Sequence, residues 1–164
     1  FVRTIGTQGS GELQFRGPAG VAALGDGCIV VADTGNHRLQ VVTAEGHGAF
    51  VRIIGTRGSG ALQFRGPNAV AALGDGRHIV VVEQLNHRIQ VLTAEGAFVR
   101  TIGTYGSGEL QFRGPAGVAA LGDGRHIVVA DHHNDRLQVV TAEGAFVRTI
   151  GTQGSGELQF RGPA

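Results

Sequence analysis

The chain has no methionine, no tryptophan and no lysine, and it has one cysteine, one tyrosine and four prolines in 164 residues. A lone Cys28 cannot close an internal disulfide, so its presence says nothing about redox compartment. Without methionine the chain does not start at an initiator, and it opens directly on a repeat rather than on a signal peptide. It therefore reads as a processed chain or a domain excerpt. No apolar run approaches the ~18 residues needed to cross a bilayer, so no membrane contact is expected. All 14 basic residues are arginines, set against 13 acids for a net charge of +1. That balance gives no electrostatic reason to expect nucleic acid or an anionic surface as partner. Aromatics are equally scarce. The only exposed-type candidate is Tyr105, because the eight phenylalanines recur at two fixed positions per repeat and read as core. Recognition of single-stranded RNA needs exposed stacking aromatics on a basic surface, so nucleic acid is not expected as a partner.

What the chain has in abundance is repetition. The string Phe-Val-Arg begins at Phe1, Phe50, Phe98 and Phe146, at spacings of 49, 48 and 48. Residues 50–97 and 98–145 are identical at 36 of 48 positions, and residues 146–164 repeat residues 1–19 without change. Such a period marks a repeat architecture before any other reading is attempted.

One unit resolves into four short strands and no helix. Residues 50–54, Phe-Val-Arg-Ile-Ile, are rich in aliphatic and aromatic side chains and stop at Gly55, which reads as a strand. A glycine-rich stretch runs to Gly66-Pro67, and Ala69-Val70-Ala71-Ala72-Leu73 then ends at Gly74-Asp75-Gly76, a tight hairpin signal. His78-Ile79-Val80-Val81-Val82 is a continuous apolar run, as expected of a strand covered on both faces. Arg88-Ile89-Gln90-Val91-Leu92-Thr93 completes the unit. A single four-stranded sheet cannot bury both its faces, whereas radial stacking of copies does so. The fold class is therefore all-β: a β-propeller of four-stranded antiparallel blades, three per chain. The units are an outer strand at 1–6, blades at 19–55, 68–103 and 116–151, and a terminal stub at 152–164.

The residues also resemble a known family. Asp33-Thr34-Gly35-Asn36-His37-Arg38-Leu39-Gln40-Val41, preceded by Ile29-Val30-Val31-Ala32, is similar to the NHL-repeat signature. So is Phe15-Arg16-Gly17-Pro18-Ala19-Gly20-Val21-Ala22. The resemblance recurs three times and implies a propeller, commonly six-bladed. It also implies two alternatives to plain binding, since some propellers of this type bind RNA and some act as metal-assisted lyases. The middle copy departs with Glu83 and Leu85, and the third places Asp135 where the others have His37 and His87.

Three blades make an open arc with two uncovered flanks, larger than the few hundred Å² of apolar surface a monomer usually exposes. Two arcs make six blades with two-fold symmetry, so a homodimer closing one ring is expected. The duplicated ends then offer 26 strands for 24 places, and two identical segments compete at each junction.

Chemistry-bearing patterns are weak. Asp33, Asn36 and Arg38 recur as Glu83, Asn86, Arg88 and as Asp131, Asn134, Arg136. A set that occurs once per blade points to a loop brace rather than catalysis. His132-His133 beside Asp131 is the sharpest metal candidate, but three or four ligands are needed and no second cluster appears, so no metal or other cofactor is expected. The loop at 55–60 opens no helix and lacks the P-loop lysine, which leaves it as a flexible connector. No catalytic residue is assigned and the chain is read as a non-enzyme. Differences between copies gather at Gln8/Arg57/Tyr105/Gln153 and at Thr34-Gly35, Gln84-Leu85 and His132-His133. Both loops should emerge on one face, which makes Arg57, Tyr105, His132 and His133 the candidate binding residues for a protein or peptide. A purely structural protein, designed or recently amplified, is the remaining alternative and would bind nothing.

Overall fold

A computed structural model describes residues 4–25, 27–45 and 48–164. The expected outer strand at 1–6 falls partly outside them, and Thr4, Ile5 and Gly6 are not in a strand. His47 also lies outside.

Three four-stranded antiparallel sheets follow one another along the chain. The first runs Pro18–Ala23, Cys28–Asp33, Arg38–Thr43 and Phe50–Ile54 in spatial order. The second runs Pro67–Ala72, His78–Glu83, Arg88–Thr93 and Phe98–Ile102, and the third Gly117–Ala120, His126–Asp131, Arg136–Thr141 and Phe146–Ile150. Each sheet is a simple meander, the topology that two-residue and short turns between neighbouring strands produce. The third and fourth strands of every sheet carry an irregularity at the same place, Val41/Val42, Val91/Leu92 and Val139/Val140. Sequence identity is thus matched by identity of register.

The hydrophobic core lies between blades, not within them. Val30, Ala32, Leu39 and Val41 of the first blade pack on Phe64, Val70, Ile79, Val81 and Leu92 of the second. Val80, Val82, Ile89 and Val91 of the second pack on Phe112, Ile127, Val129 and Val140 of the third. Successive residues of a strand point to opposite faces, so the continuous run from Ile79 to Val82 serves both seams at once. The first strands approach so closely that a Cβ on Gly20 would lie 2.8 Å from Ala69 Cα. Small residues on this strand are a steric requirement of the arc's inner edge.

The glycine-rich connectors are more ordered than a flexible linker. Thr56–Arg57 pairs in parallel with Gln63–Phe64, and the same two-residue ladder recurs at 7–8 with 14–15, 104–105 with 111–112, and 152–153 with 159–160. Gln63 Oε1 accepts from Gly60 N–H at 2.9 Å and closes the tip. Leu62 adopts φ +53°, and a Cβ on Gly55 would lie 2.2 Å from the Phe64 ring. Only glycine permits that contact together with its own positive φ.

Candidate functional site

The recurring acid, asparagine and arginine form a buried brace. Asp33 is fully buried; its Oδ1 accepts from Arg16 N–H at 2.7 Å and its Oδ2 from Arg38 Nε at 2.8 Å and from Asn36 Nδ2 at 2.9 Å. Asn36 also donates to Gly9 O, while Arg38 reaches Gly11 O and Gln14 O. The second and third blades repeat the arrangement around Glu83 and Asp131, with Arg88 and Arg136 also donating to Ser59 O and Ser107 O. A fourth member had no role assigned from the sequence. Gln40 donates to Gln14 O at 2.6 Å and accepts from Leu13 N–H at 3.1 Å, and Gln90 and Gln138 do likewise in their blades. Each of these glutamines is fully buried in an otherwise aliphatic strand, where a polar side chain must be hydrogen-bonded. The acids are fully occupied by this brace, and none of them faces solvent.

A second device spans the seams. His37, His87 and Asp135 all adopt left-handed φ between 50° and 56° at the end of the turn after the second strand. His37 Nδ1 accepts from Gly66 N–H at 3.1 Å and His87 Nδ1 from Gly114 N–H at 3.0 Å, each on the connector leading into the next blade. Asp135 Oδ1 accepts from Gly162 N–H at 2.8 Å in the same way. The substitution that looked like a departure therefore preserves the function, because a carboxylate oxygen replaces an imidazole nitrogen as acceptor.

These histidines make the seams sensitive to acid. Burial, followed by the charges of Arg57 and Arg65, lowers the His37 pKa below its ordinary 6.5. Burial, then His133 and Arg113, lowers that of His87, against an opposing pull from Asp131. A histidine whose folded pKa is depressed contributes stability above the unfolded value and loses it as pH falls through the folded value. Urea midpoints should accordingly drop between pH 7 and pH 5, and His37→Asp with His87→Asp should flatten that drop. An unchanged pH dependence in the double variant would refute the role of both latches.

The four candidate binding residues sit on the face that carries the brace and the latches. Arg57 and Tyr105 end the first short strand of successive connectors, Tyr105 being 60% exposed. His132 and His133 begin a single 3-10 turn, His132–Asn134, matched in the first blade by Thr34–Asn36. Their rings meet edge to face at 4.8 Å. Tyr105 stacks edge-on against His87 at 4.9 Å, and a Cβ on Gly114 would lie 2.5 Å from the His133 ring. Tyr105 and His133 are thus gathered around the latch of the second seam. Arg57 stands one blade earlier, beside the latch of the first. Leu85, 57% exposed, occupies the position of His133 in the middle blade.

The imidazoles of His132 and His133 do converge, but His132 Nδ1 donates to Pro163 O at 3.2 Å. Among the described residues no group of three His, Cys, Asp or Glu side chains is arranged to hold a metal ion. His78 and His126 are engaged elsewhere, each 2.5 Å from the hairpin carboxylates Asp75 and Asp123. Among the described residues no helix is long and apolar enough to cross a membrane.

Comparison with known proteins agrees with this geometry. The NHL repeat model matches residues 15–42 and 112–140. The B-box type zinc finger protein ncl-1 of Caenorhabditis elegans is 54% identical over 46 residues, which is 28% of this chain and 5% of that protein. Among solved structures, a chain of the Kuenenia stuttgartiensis hydrazine synthase superposes with a TM-score of 0.69 at 18% identity, over 87% of this chain and 38% of that one. A chain of the nidogen/laminin complex gives 0.68 at 17% identity, over 85% and 49%. A catalytically inactive virginiamycin B lyase from Staphylococcus aureus, solved with quinupristin, gives 0.63 at 15% identity, over 87% and 43%. The chain spans one-twentieth of its curated relative and under half of each solved chain, and the structural likenesses are likenesses of fold alone. The first and third blades thus each match the NHL repeat, the second is a near-copy of the third, and the fold they build is that of a propeller arc.

Proposed function

We propose that the chain is a non-enzymatic binding scaffold that pairs with a second copy into a six-bladed ring and offers its connector face to a protein or peptide. The observation that carries this reading is the division of labour among polar residues. Every acid of the recurring motif is buried and satisfied by its own blade, so nothing in the motif is poised for acid–base work. The residues that vary between blades, Arg57, Tyr105, Leu85, His132 and His133, stand outside the brace on the same face. Tyrosine and arginine beside an apolar side chain are the types that dominate protein recognition.

Peptides selected from a random display against the whole chain test the reading. Most of them should bind about a hundredfold more weakly to the Arg57→Ala, Tyr105→Ala, His132→Ala, His133→Ala variant. They should be indifferent to Arg77→Ala with Arg125→Ala, at the hairpin turns on the opposite edge. Undiminished binding to the fourfold variant contradicts the proposed site.

A further inference from the structure

The connectors at 7–17, 56–66 and 104–114 are each held by the blade that follows them, through the Asp/Glu, Asn, Arg and Gln brace. The connector at 152–162 has the same internal fold: Thr152 pairs with Gln159, Leu158 has φ +52°, and Gln159 Oε1 accepts from Gly156 N–H at 2.8 Å. No brace in the described residues reaches it. The carbonyls of Gly154, Gly156 and Gln159 and the amides of Leu158 and Arg161 correspond to groups that its sisters give to a following blade.

This segment nonetheless stands where a fourth blade would begin. Asp135 latches Gly162 as His37 latches Gly66, and His132 donates to Pro163 O. A Cβ on Gly117 would lie 2.8 Å from the Ala164 carbonyl carbon, as one on Gly20 would lie 2.9 Å from Asn68 O. At the other end of the arc the first blade shows the surface that the later blades bury. Val21 is 64% exposed, whereas its counterpart Val70 is 6% exposed. Phe15 is half-buried, whereas Phe64 and Phe112 are fully enclosed. Val21, Ile29, Val31 and Phe15 line an open apolar hollow there.

The two ends are complementary by construction, since each presents one half of a seam that the chain already makes twice. What fits both is a second copy of this chain. The difficulty is that the brace of the first blade is already filled by residues 7–17, identical to 152–162. Their attachments differ. Among the described residues no latch reaches Gly17, and Arg38 lacks the bond to the Ser10 carbonyl that Arg88 and Arg136 make to Ser59 and Ser107. The C-terminal segment is latched by Asp135 and continues from Phe146–Ile150, the fourth strand of its own blade. Its Ala164 is the counterpart of Ala19, the residue that precedes Gly20 in the first strand of a blade.

We propose that copies of this chain join head to tail by segment exchange, residues 152–164 of one copy displacing residues 1–19 of the next from its first-blade brace. This rests on the ring reading above and specifies its junction. The brace bonds lost by residues 7–17 are remade by the identical residues 152–162, and the latch and the apolar seam are gained in addition.

Limited trypsin digestion of the full chain, followed by intact mass measurement and light scattering, separates the outcomes. There is no lysine, so cleavage is confined to arginines. The exchange predicts a dimer that loses residues 1–16 first while Arg161 stays uncut. A dimer that loses residues 162–164 and keeps its first sixteen residues overturns the exchange and leaves the ring intact. A monomer overturns both. As a second measurement, a chain lacking residues 1–17 should self-associate at least about tenfold more tightly than one lacking residues 152–164. Equal affinities, or the reverse order, contradict the exchange.

Discussion

Replacing Arg88 with alanine is expected to lower the thermal midpoint by on the order of 10 °C, while Glu83→Asp should leave it nearly unchanged. Arg88 Nε lies 2.6 Å from Glu83 Oε1, and the carboxylate is fully enclosed. Removing the guanidinium strands that charge in the interior, a loss of about 3–5 kcal/mol for a buried pair broken on one side. It also frees the carbonyls of Ser59 and Gly60 and removes one of two donors to Gln63 O, so the connector's hold on the second blade would rest on Asn86, Gln90 and the stranded carboxylate. The aspartate variant keeps everything, because Asp33 and Asp131 perform the same task in the neighbouring blades with bonds of 2.8 Å to their arginines. Differential scanning calorimetry on the two variants checks the pair of expectations. Equal losses would mean that side-chain length, not charge, governs the brace.

The second large effect concerns four copies of one phenylalanine. Phe64→Ala and Phe112→Ala should each cost about 3–5 kcal/mol in urea unfolding, as expected for a large aromatic deleted from a closed core. Both rings are fully buried within the seams, each against the glycine, Gly55 or Gly103, that opens its own connector. Phe160→Ala should cost the isolated chain far less, because Phe160 is only half-buried at the outer end of the arc. Its effect should fall on self-association instead. Comparable unfolding losses at Phe112 and Phe160 would show that the last connector is already enclosed without a partner.

The architecture was legible because two independent signals agree. The 48-residue period sets the unit, and within it the aromatic and aliphatic run from Phe50, the small run from Ala69 and the branched run from Ile79 each specify a strand. The blade faces were also readable: a run such as Ile79–Val82 has no polar side and must be covered on both. The brace was recognised in outline from its recurrence, but its geometry was not. Gln40 and its copies escaped because a glutamine in a strand carries no positional signature until its partner, Leu13 N–H on the connector, is known. The connector itself was misread as flexible. Its order comes from the left-handed Leu62 and from tertiary hydrogen bonds by Asn86 and Arg88, and neither leaves a trace in local propensity. The exchange of histidine for aspartate between His87 and Asp135 looked like divergence, because equivalence as acceptors appears only once both face a glycine amide.

The mass of the chain in solution, by size-exclusion chromatography with light scattering across the micromolar range, tests the central claim most directly. Closure of a six-bladed ring predicts a species of twice 16.9 kDa that persists on dilution. A folded, monodisperse species of 16.9 kDa would contradict it, and would mean that the exposed flank around Val21 is stable in water as it stands.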